Sequence, residues 1–276
     1  MPSLVLPPPG TYDCLYVSPH PEVAARSCAA RIAWEAERGH RILIAVVFGD
    51  APGTLPAGSQ GIACGLPDAP ARHGAYASLR ARLEDRQPED EETLERAAAL
   101  FDDLGRKSGA RHVYAPLGVG ESIDHRLSHE AALRVFHAGA GRNVFLYEEQ
   151  PQASVPGAVR VRLASVGAQL PPGAAASAAR AGLLRFLFRL QLAPQMRREA
   201  RGIAERFACA RTAARQWNAA RGWRPLRAFG PRLQPVDEAV APQGTQRFWL
   251  LLPEREPAGV GVVPASALRR TTSVPQ

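Results

Sequence analysis

Two histidines of this sequence follow segments that have the composition of buried β-strands. His20 follows the apolar run 12–17, and His125 comes shortly after the apolar run 113–117. A helix-like pattern begins at or just after each histidine, so both runs are expected to end at a strand-to-helix turn. Ligands of open α/β sheets bind at the carboxyl ends of the strands, where such turns lie. The sequence therefore predicts that His20 and His125 contribute to one ligand or metal site.

The two histidine segments resemble a pair of motifs from one family of zinc enzymes. The first segment has the sequence HPEVA from His20 onward, and the second has SIDH from Ser122 to His125. They resemble the HPDDE and HxDH signatures of the PIG-L or LmbE-like de-N-acetylases, which remove acetyl groups from N-acetylated sugars. The resemblance covers roughly residues 12 to 150, and both motifs are altered in this chain. It implies a carbohydrate or glycoside as the ligand.

The altered motifs change the metal-binding groups that the resemblance implies. A catalytic zinc ion needs three protein ligands and an open position for water, and a base must accept the water's proton. Carried over by position, the metal ligands become His20, Val23 and His125, and the base becomes Glu22. Valine has no lone pair, so two imidazoles remain, and these alone hold zinc weakly. We therefore expect zinc binding to be weak or absent.

The resemblance also gives roles to other polar positions. Ser122 takes the place of a histidine that helps to stabilise the tetrahedral intermediate, and a hydroxyl brings a hydrogen bond but no imidazolium charge. Asp124 either caps the helix that begins there or orients a neighbouring group of the site. Ala24 stands where the family has a glutamate. His129, one helical turn beyond His125, is a weaker candidate for the missing ligand.

Three functions remain open from the sequence, and it does not decide whether the chain is an enzyme. The simultaneous changes at Glu22, Val23, Ala24 and Ser122 favour a homologue that has lost most or all amide hydrolysis and acts as a binding or partner protein. The alternative is an active metal-dependent deacetylase of an N-acetylated amino sugar or glycoside, in which Glu22 becomes the third ligand. A carboxylate bound to the metal no longer serves freely as the base. The third function is binding of nucleic acid or an anionic membrane by an arginine-rich segment.

Positive charge is concentrated in one part of the chain. The formal net charge is +8, and residues 180–232 contain 13 basic and 2 acidic side chains. Such a segment can bind nucleic acid or an anionic membrane surface. However, Lys107 is the only lysine and alanine is abundant, which indicates a bias toward arginine and alanine. A solvated arginine face is therefore favoured, and a nucleic-acid partner is the least favoured reading.

The apolar patterns predict an α/β fold: a Rossmann-like, mainly parallel sheet with helices on both faces, plus a helical, arginine-rich C-terminal extension. The predicted strands are 12–17, 41–48, 111–117, 143–147, 158–163 and 246–252. The predicted helices are 24–38, 90–107, 124–137, 174–192 and 195–221. Residues 49–74, rich in glycine and proline, are predicted to form a long loop.

The chain divides into four predicted segments. Residues 1–11 form a leader, 12–170 the LmbE-like α/β domain, 171–264 a helical extension with a late strand that completes the same domain, and 265–276 a flexible tail. No apolar run approaches the roughly 20 residues that span a bilayer, and no signal-peptide pattern is present. A cytoplasmic location is therefore expected. The sequence carries no sign of the oligomeric state.

The four cysteines, Cys14, Cys28, Cys64 and Cys209, stand far apart in the sequence. None forms a Cys-x-x-Cys pair, so neither a zinc ribbon nor a disulfide framework is indicated. Cys14 on a predicted strand and Cys28 on a predicted helix are expected to behave as small buried apolar residues.

Overall fold

The computed structural model describes most of the N-terminal 169 residues and two later segments. The described residues are 12–77, 82, 86–119, 122–137, 141–154, 158–169, 231–240 and 244–253. The predicted leader, the predicted helices at 174–192 and 195–221 and the predicted tail lie outside the described residues, as does nearly all of the arginine-rich segment. In the described part of the chain, no helix is both long and apolar enough to pass through a bilayer.

One mixed sheet forms the centre of the fold. Its strands are β1 (Cys14–Ser18), β2 (Ile42–Phe48), β3 (Ser59–Leu66), β4 (His112–Pro116), β5 (Asn143–Tyr147), β6 (Leu233–Val240) and β7 (Gly244–Leu251). The strand order is β3-β2-β1-β4-β5-β7-β6. Strands β1 to β5 are parallel to one another, and β7 and β6 extend the sheet as an antiparallel pair. The predicted mainly parallel α/β sheet is confirmed.

Helices cover both faces of the sheet, as predicted. The helices are α1 (Val23–Ser27), α2 (Ala29–Glu37), α3 (Ala69–Arg72), α4 (Glu89–Ser108), α5 (Ile123–Val135) and α6 (Ala158–Ser165). Short 3₁₀ turns lie at Gly74–Ala77 and Gln152–Ser154. Helices α1 and α2 contribute Ala24 and Ile32 to the core on one face. Helices α4 and α5 contribute Phe101 and Leu127 to the core on the other.

The central strands have continuous apolar sequences because both of their faces are buried. Successive side chains of a strand point to opposite faces. In β1, Cys14 and Tyr16 therefore join the core under α1 and α2, whereas Leu15 and Val17 join the core under α4 and α5. All five residues of β1 are buried. Because β1 and β4 are parallel neighbours, their carboxyl ends lie at the same edge of the sheet.

Helix α4 agrees with its sequence signals at both ends. Its first turn contains four acidic residues, Glu89, Asp90, Glu91 and Glu92, and its last turn contains Arg106 and Lys107. These charges complement the helix dipole. Gly109 ends the helix in the left-handed conformation, with φ 66°, which glycine adopts at little cost.

Residues 49–74 are not the long loop that the sequence predicts. They contain β3 and α3. Strand β3 lies at an edge of the sheet, and its residues are mostly half-buried. A strand in this position does not need a continuous apolar sequence. Helix α3 begins at Asp68, whose side chain accepts a hydrogen bond from the Ala71 amide at 3.1 Å, with Pro70 in the first turn. This start signal is present in the sequence.

The predicted strand at 158–163 is wrong, because these residues belong to helix α6. Residues 159–162 alternate valine and arginine, and a run this short fits a strand or a helix equally well. Arg162 and Leu163 are adjacent and both buried. The predicted helix 24–38 is also divided, with Cys28 between α1 and α2. Strand β6, which contains a proline and two acidic residues, was not predicted.

Candidate ligand-binding site at the carboxyl edge of the sheet

His20 lies in the turn that joins β1 to α1. The hydroxyl of Ser18 donates to the carbonyl of His20 at 2.5 Å and accepts from the amide of Ala24 at 2.9 Å. The amide of Phe48, at the end of β2, donates to the Pro19 carbonyl at 3.0 Å. These contacts fix the backbone of the turn. The His20 side chain remains 28% exposed, so it lies on the surface of the edge rather than in the core.

The imidazole of His20 contacts Asp124 in the first turn of α5. Its Nε2 atom lies 3.2 Å from Oδ2 of Asp124. The same oxygen accepts from the Ala69 amide at 3.2 Å, and Oδ1 accepts from Nη1 of Arg72 at 2.7 Å. Burial by itself raises the pKa of Asp124, but the hydrogen bond from His20 and the charge of Arg72 outweigh it and lower the pKa. Asp124 is therefore held as a carboxylate.

Asp124 is not the cap of its helix, contrary to one of the two sequence-based expectations. The N-cap of α5 is Ser122, and its hydroxyl forms no capping hydrogen bond. The carboxylate of Asp124 is directed to α3 and His20 instead. Asp124 lies two residues beyond the N-cap, and its carboxylate pairs with the buried guanidinium of Arg72.

His125 is buried and is held by Glu149, which follows β5. Nδ1 of His125 lies 3.2 Å from Oε1 of Glu149. The two Glu149 oxygens also accept from the amides of Gly118 and Val119, at 2.7 and 3.0 Å. Glu149 is fully buried. Through these hydrogen bonds its carboxylate joins the residues after β4 to the residues after β5.

The structure brings His20 and His125 to the same edge, with ring centroids 5.8 Å apart. Each imidazole donates one N–H to a carboxylate, through Nε2 of His20 and Nδ1 of His125. Within the described residues, neither His20 Nδ1 nor His125 Nε2 has a hydrogen-bond partner. A histidine oriented by a carboxylate with its second nitrogen available is the usual arrangement of a metal ligand.

The other predicted site residues do not join this pair. Glu22 is exposed at the N-cap of α1, and its side chain makes no capping hydrogen bond. Ser122 is half-buried. In the described part of the chain, neither side chain bonds to His20 or His125. Val23 is 7% exposed and packs in the core beneath α1.

Arg72 was not identified from the sequence, although it contacts the site directly. Its side chain is 3% exposed. In addition to Asp124, it contacts Oδ1 of Asp90 at 3.0 Å and the carbonyl of Pro67 at 2.9 Å. The helix-start signal at Asp68 could have placed Arg72 on a short helix, but no sequence signal indicates its partners in α4 and α5.

His129 does not lie in the position of a third ligand. It is 3% exposed, and its Nδ1 donates to the carbonyl of Pro116 at 2.9 Å. Burial, with a contribution from the charge of Arg162, lowers the pKa of His129 to about 3. The neutral ring therefore joins α5 to the end of β4.

The donors at this edge do not fit a catalytic zinc site. Such a site requires three protein ligands, whereas the position that the resemblance gives to the third is the hydrocarbon side chain of Val23. In the residues that the structure describes, one group of three His, Cys, Asp or Glu side chains brings its ligand atoms within 4.8 Å of one another, and it consists of Cys14, Glu35 and His40. That group does not include His20 or His125.

Comparisons with known proteins find only distantly similar solved structures. No family model and no curated protein sequence matches the chain. Among solved structures, a deacetylase–bog complex from the teicoplanin biosynthesis pathway is 18% identical, covers 87% of this chain and 97% of its own, and has a TM-score of 0.47. The zinc-inhibited form of the teicoplanin deacetylase Orf2 is 17% identical, with the same coverage and TM-score. The A40926 pseudoaglycone deacetylase Dbv21 is 14% identical over 90% of this chain and 99% of its own, with a TM-score of 0.44.

Proposed function

We propose that this chain is a PIG-L or LmbE-like protein that has lost metal-dependent amide hydrolysis and binds a carbohydrate or glycoside at the carboxyl edge of β1 and β4. The family assignment rests on the two altered motifs and on the parallel strands that place them at one edge. The loss of hydrolysis rests on the side chains that occupy this edge.

One observation carries the proposal. Val23 stands at the position that the resemblance gives to the third metal ligand, and its side chain is packed in the core at 7% exposure. A hydrocarbon cannot donate an electron pair, and two imidazoles bind zinc more weakly than a three-ligand set. The zinc-bound water that would attack the amide therefore lacks a stable site.

Asp124 and Glu22, the two carboxylates that the resemblance suggests for catalysis, are also poor candidates for a general base. An efficient base has a pKa near the working pH. The pKa of Asp124 is instead lowered, since the bonds from His20 and Arg72 outweigh the opposing effect of burial. Glu22 is exposed at the start of α1. Neither carboxylate is arranged to take a proton from a water held between the histidines.

The same groups are suited to bind hydroxyl groups of a ligand. His20 is partly exposed and has its Nδ1 atom available, and the half-buried Ser122 offers a hydroxyl beside the N-terminus of α5. Asp50 is exposed after β2. Donors and acceptors held by a rigid edge form hydrogen bonds with sugar hydroxyls without needing a metal.

Two assays on the purified full chain test the proposal. The first measures acetate release from a panel of N-acetylated amino sugars with added zinc, and we expect none above the buffer rate. The second measures binding of the same sugars by calorimetry or ligand-observed NMR, and we expect saturable binding that His20→Ala weakens about tenfold, the size of one lost hydrogen bond. Asp102→Asn, an exposed change on α4, is the matched control.

The assays separate the proposal from its alternative. Acetate release that His20→Ala abolishes would establish an active deacetylase with a rearranged site and overturn the loss of hydrolysis. The absence of binding to every sugar in the panel would overturn the assignment of a carbohydrate ligand.

A further inference from the structure

A second group of potential metal ligands lies at the opposite, amino-terminal edge of the sheet. Cys14 begins β1, Glu35 lies in the last turn of α2, and His40 lies in the turn between α2 and β2. One ligand atom from each side chain lies within 4.8 Å of the other two. Strand β1 runs from this group toward the His20 turn and rises about 3.3 Å per residue. The two groups therefore lie at opposite edges of the sheet, and they share no side chain.

The burial of this group distinguishes it from a surface cluster. Cys14 is 0% and Glu35 1% exposed, while the His40 side chain is 37% exposed. The two innermost ligands are thus shielded from water, and His40 forms the side that opens to solvent.

The buried carboxylate of Glu35 has a defined orientation. Its Oε1 accepts from Arg31 Nη2 at 2.5 Å and from the Tyr114 hydroxyl at 3.3 Å. Its Oε2 contacts Nδ1 of His40. Arg31 and Tyr114 therefore hold one oxygen, and the second oxygen faces His40, which is itself a potential ligand.

We propose that Cys14, Glu35 and His40 form a binding site for a divalent cation of the zinc type at the amino-terminal edge of the sheet. A thiolate, an imidazole nitrogen and one carboxylate oxygen are a donor set that zinc and cobalt accept readily, whereas magnesium and calcium prefer oxygen alone. Three protein ligands leave the fourth tetrahedral position for water on the exposed side.

Binding is balanced in protons and charge. The cation replaces the hydrogen bond from His40 Nδ1 to Glu35 Oε2. The neutral imidazole changes tautomer by exchange with solvent, so its one proton moves from Nδ1 to Nε2 and Nδ1 is left to bind the cation. The thiol of Cys14 releases its proton to solvent. Burial, followed by the charge of Glu35, raises the pKa of Cys14 in the absence of a cation, so the cation must compensate for both. Arg31 stays on Glu35 Oε1 and neutralises part of the ligand charge.

The site would fasten the end of α2 to the start of β1. Both elements already pack in one core through Cys14 and Ile32. A cation that binds the folded but not the unfolded chain adds stability that increases with its concentration. The proposed effect is therefore added stability of this edge of the fold, and it does not depend on the ligand site at the other edge.

Cobalt(II) is the most informative probe, because a cobalt–thiolate bond gives a charge-transfer absorption band in the near ultraviolet. Chelator-treated full-length protein is titrated with cobalt(II), and we expect the band to saturate at one cobalt per chain. The band should be absent in Cys14→Ser and retained in Cys64→Ser, Cys209→Ser and His20→Ala. Zinc should abolish it by competition.

A second variant tests the site independently if Cys14→Ser does not fold. His40 is partly exposed, so His40→Gln is expected to fold, and it should weaken cobalt affinity at least about tenfold. Absence of a thiolate band in the wild-type protein, or a band that survives Cys14→Ser or is unchanged in His40→Gln, would overturn the proposal.

Discussion

His20 Nε2 lies 3.2 Å from Oδ2 of Asp124, a carboxylate that Arg72 holds from the other side at 2.7 Å. The turn after β1, helix α3 and helix α5 thus meet in one polar contact at the carboxyl edge of the sheet. Asp124 is 3% exposed, so its negative charge is stabilised by its partners rather than by water. The contact that orients His20 also keeps Asp124 from acting as a base.

Removing the charge of Asp124 should destabilise the fold. Asp124→Asn leaves the buried guanidinium of Arg72 with Asp90 as its remaining carboxylate partner. Breaking a buried ion pair typically costs about 3 kcal/mol, and we expect a loss of that size in urea unfolding at pH 7. Asp102→Asn, which removes an exposed i,i+4 pair on α4, should cost less than about 1 kcal/mol. Equal losses in the two variants would contradict the structural role of Asp124.

Glu149 should fix both His125 and the turn after β4. In Glu149→Gln the amide nitrogen cannot accept a hydrogen bond, so either the Gly118 or the Val119 amide loses its acceptor. We expect a loss of about 2 kcal/mol in unfolding free energy, with faster hydrogen exchange at one of these amides. Glu148→Gln is the matched control, because glutamine can still accept from Trp249 Nε1. Unchanged exchange at both amides would show that Glu149 does not hold this turn.

His129 should make stability depend on pH. Its pKa is about 3 in the folded chain, chiefly because of burial, against an ordinary value of 6.5. The unfolded chain therefore binds more protons, and stability is fully present above pH 6.5 and falls as the pH decreases toward 3. As the pH falls from 6.5 to 5, this one group should lower the free energy of unfolding by about 2 kcal/mol.

The variant His129→Asn isolates this contribution. The asparagine amide can donate to the Pro116 carbonyl in place of Nδ1, but it does not take up a proton. Urea unfolding from pH 7 to 5 should therefore give a shallower loss of stability for the variant than for the wild-type protein. Parallel curves would mean that His129 does not remain neutral in the fold.

Much of the sheet could be predicted from the sequence because its central strands are buried on both faces. Strands β2, β4 and β5 appear as continuous apolar runs, and β1 has the same character up to Ser18. The edge strand β3 lacks this signal, because its residues are half exposed. For α6, the buried Arg162 donates from Nε to the carbonyl of Leu117 after β4 at 2.8 Å, a long-range contact that local periodicity does not encode.

The candidate site was predictable only in part, for a similar reason. Histidines at the ends of two parallel strands are expected at one edge, and His20 and His125 do lie together there. Arg72 and Glu149 contact the site from segments that are remote in sequence, 52 residues from Asp124 and 24 residues from His125. Long-range contacts of this kind have no local signature.

Restoring the third ligand should restore metal binding at the carboxyl edge. Val23→Asp places a carboxylate at the position that the resemblance gives to a ligand, at a cost of a few kcal/mol because the site is buried. In a Cys14→Ser background, which removes the proposed second site, we expect zinc affinity to rise at least about tenfold over the parent. Val23→Asn, which has a similar shape but no charge, is the control. Equal affinities of the Val23→Asp and parent proteins would show that Val23 is not the missing position.

The most direct measurement of the central claim is the zinc affinity of the Cys14→Ser protein, determined by competition with a chromophoric chelator. If the carboxyl edge has only two dependable donors, zinc should bind weakly, and His20→Ala in the same background should not release any tightly held ion. One tightly bound zinc per chain that is lost in both His20→Ala and His125→Ala would contradict the account.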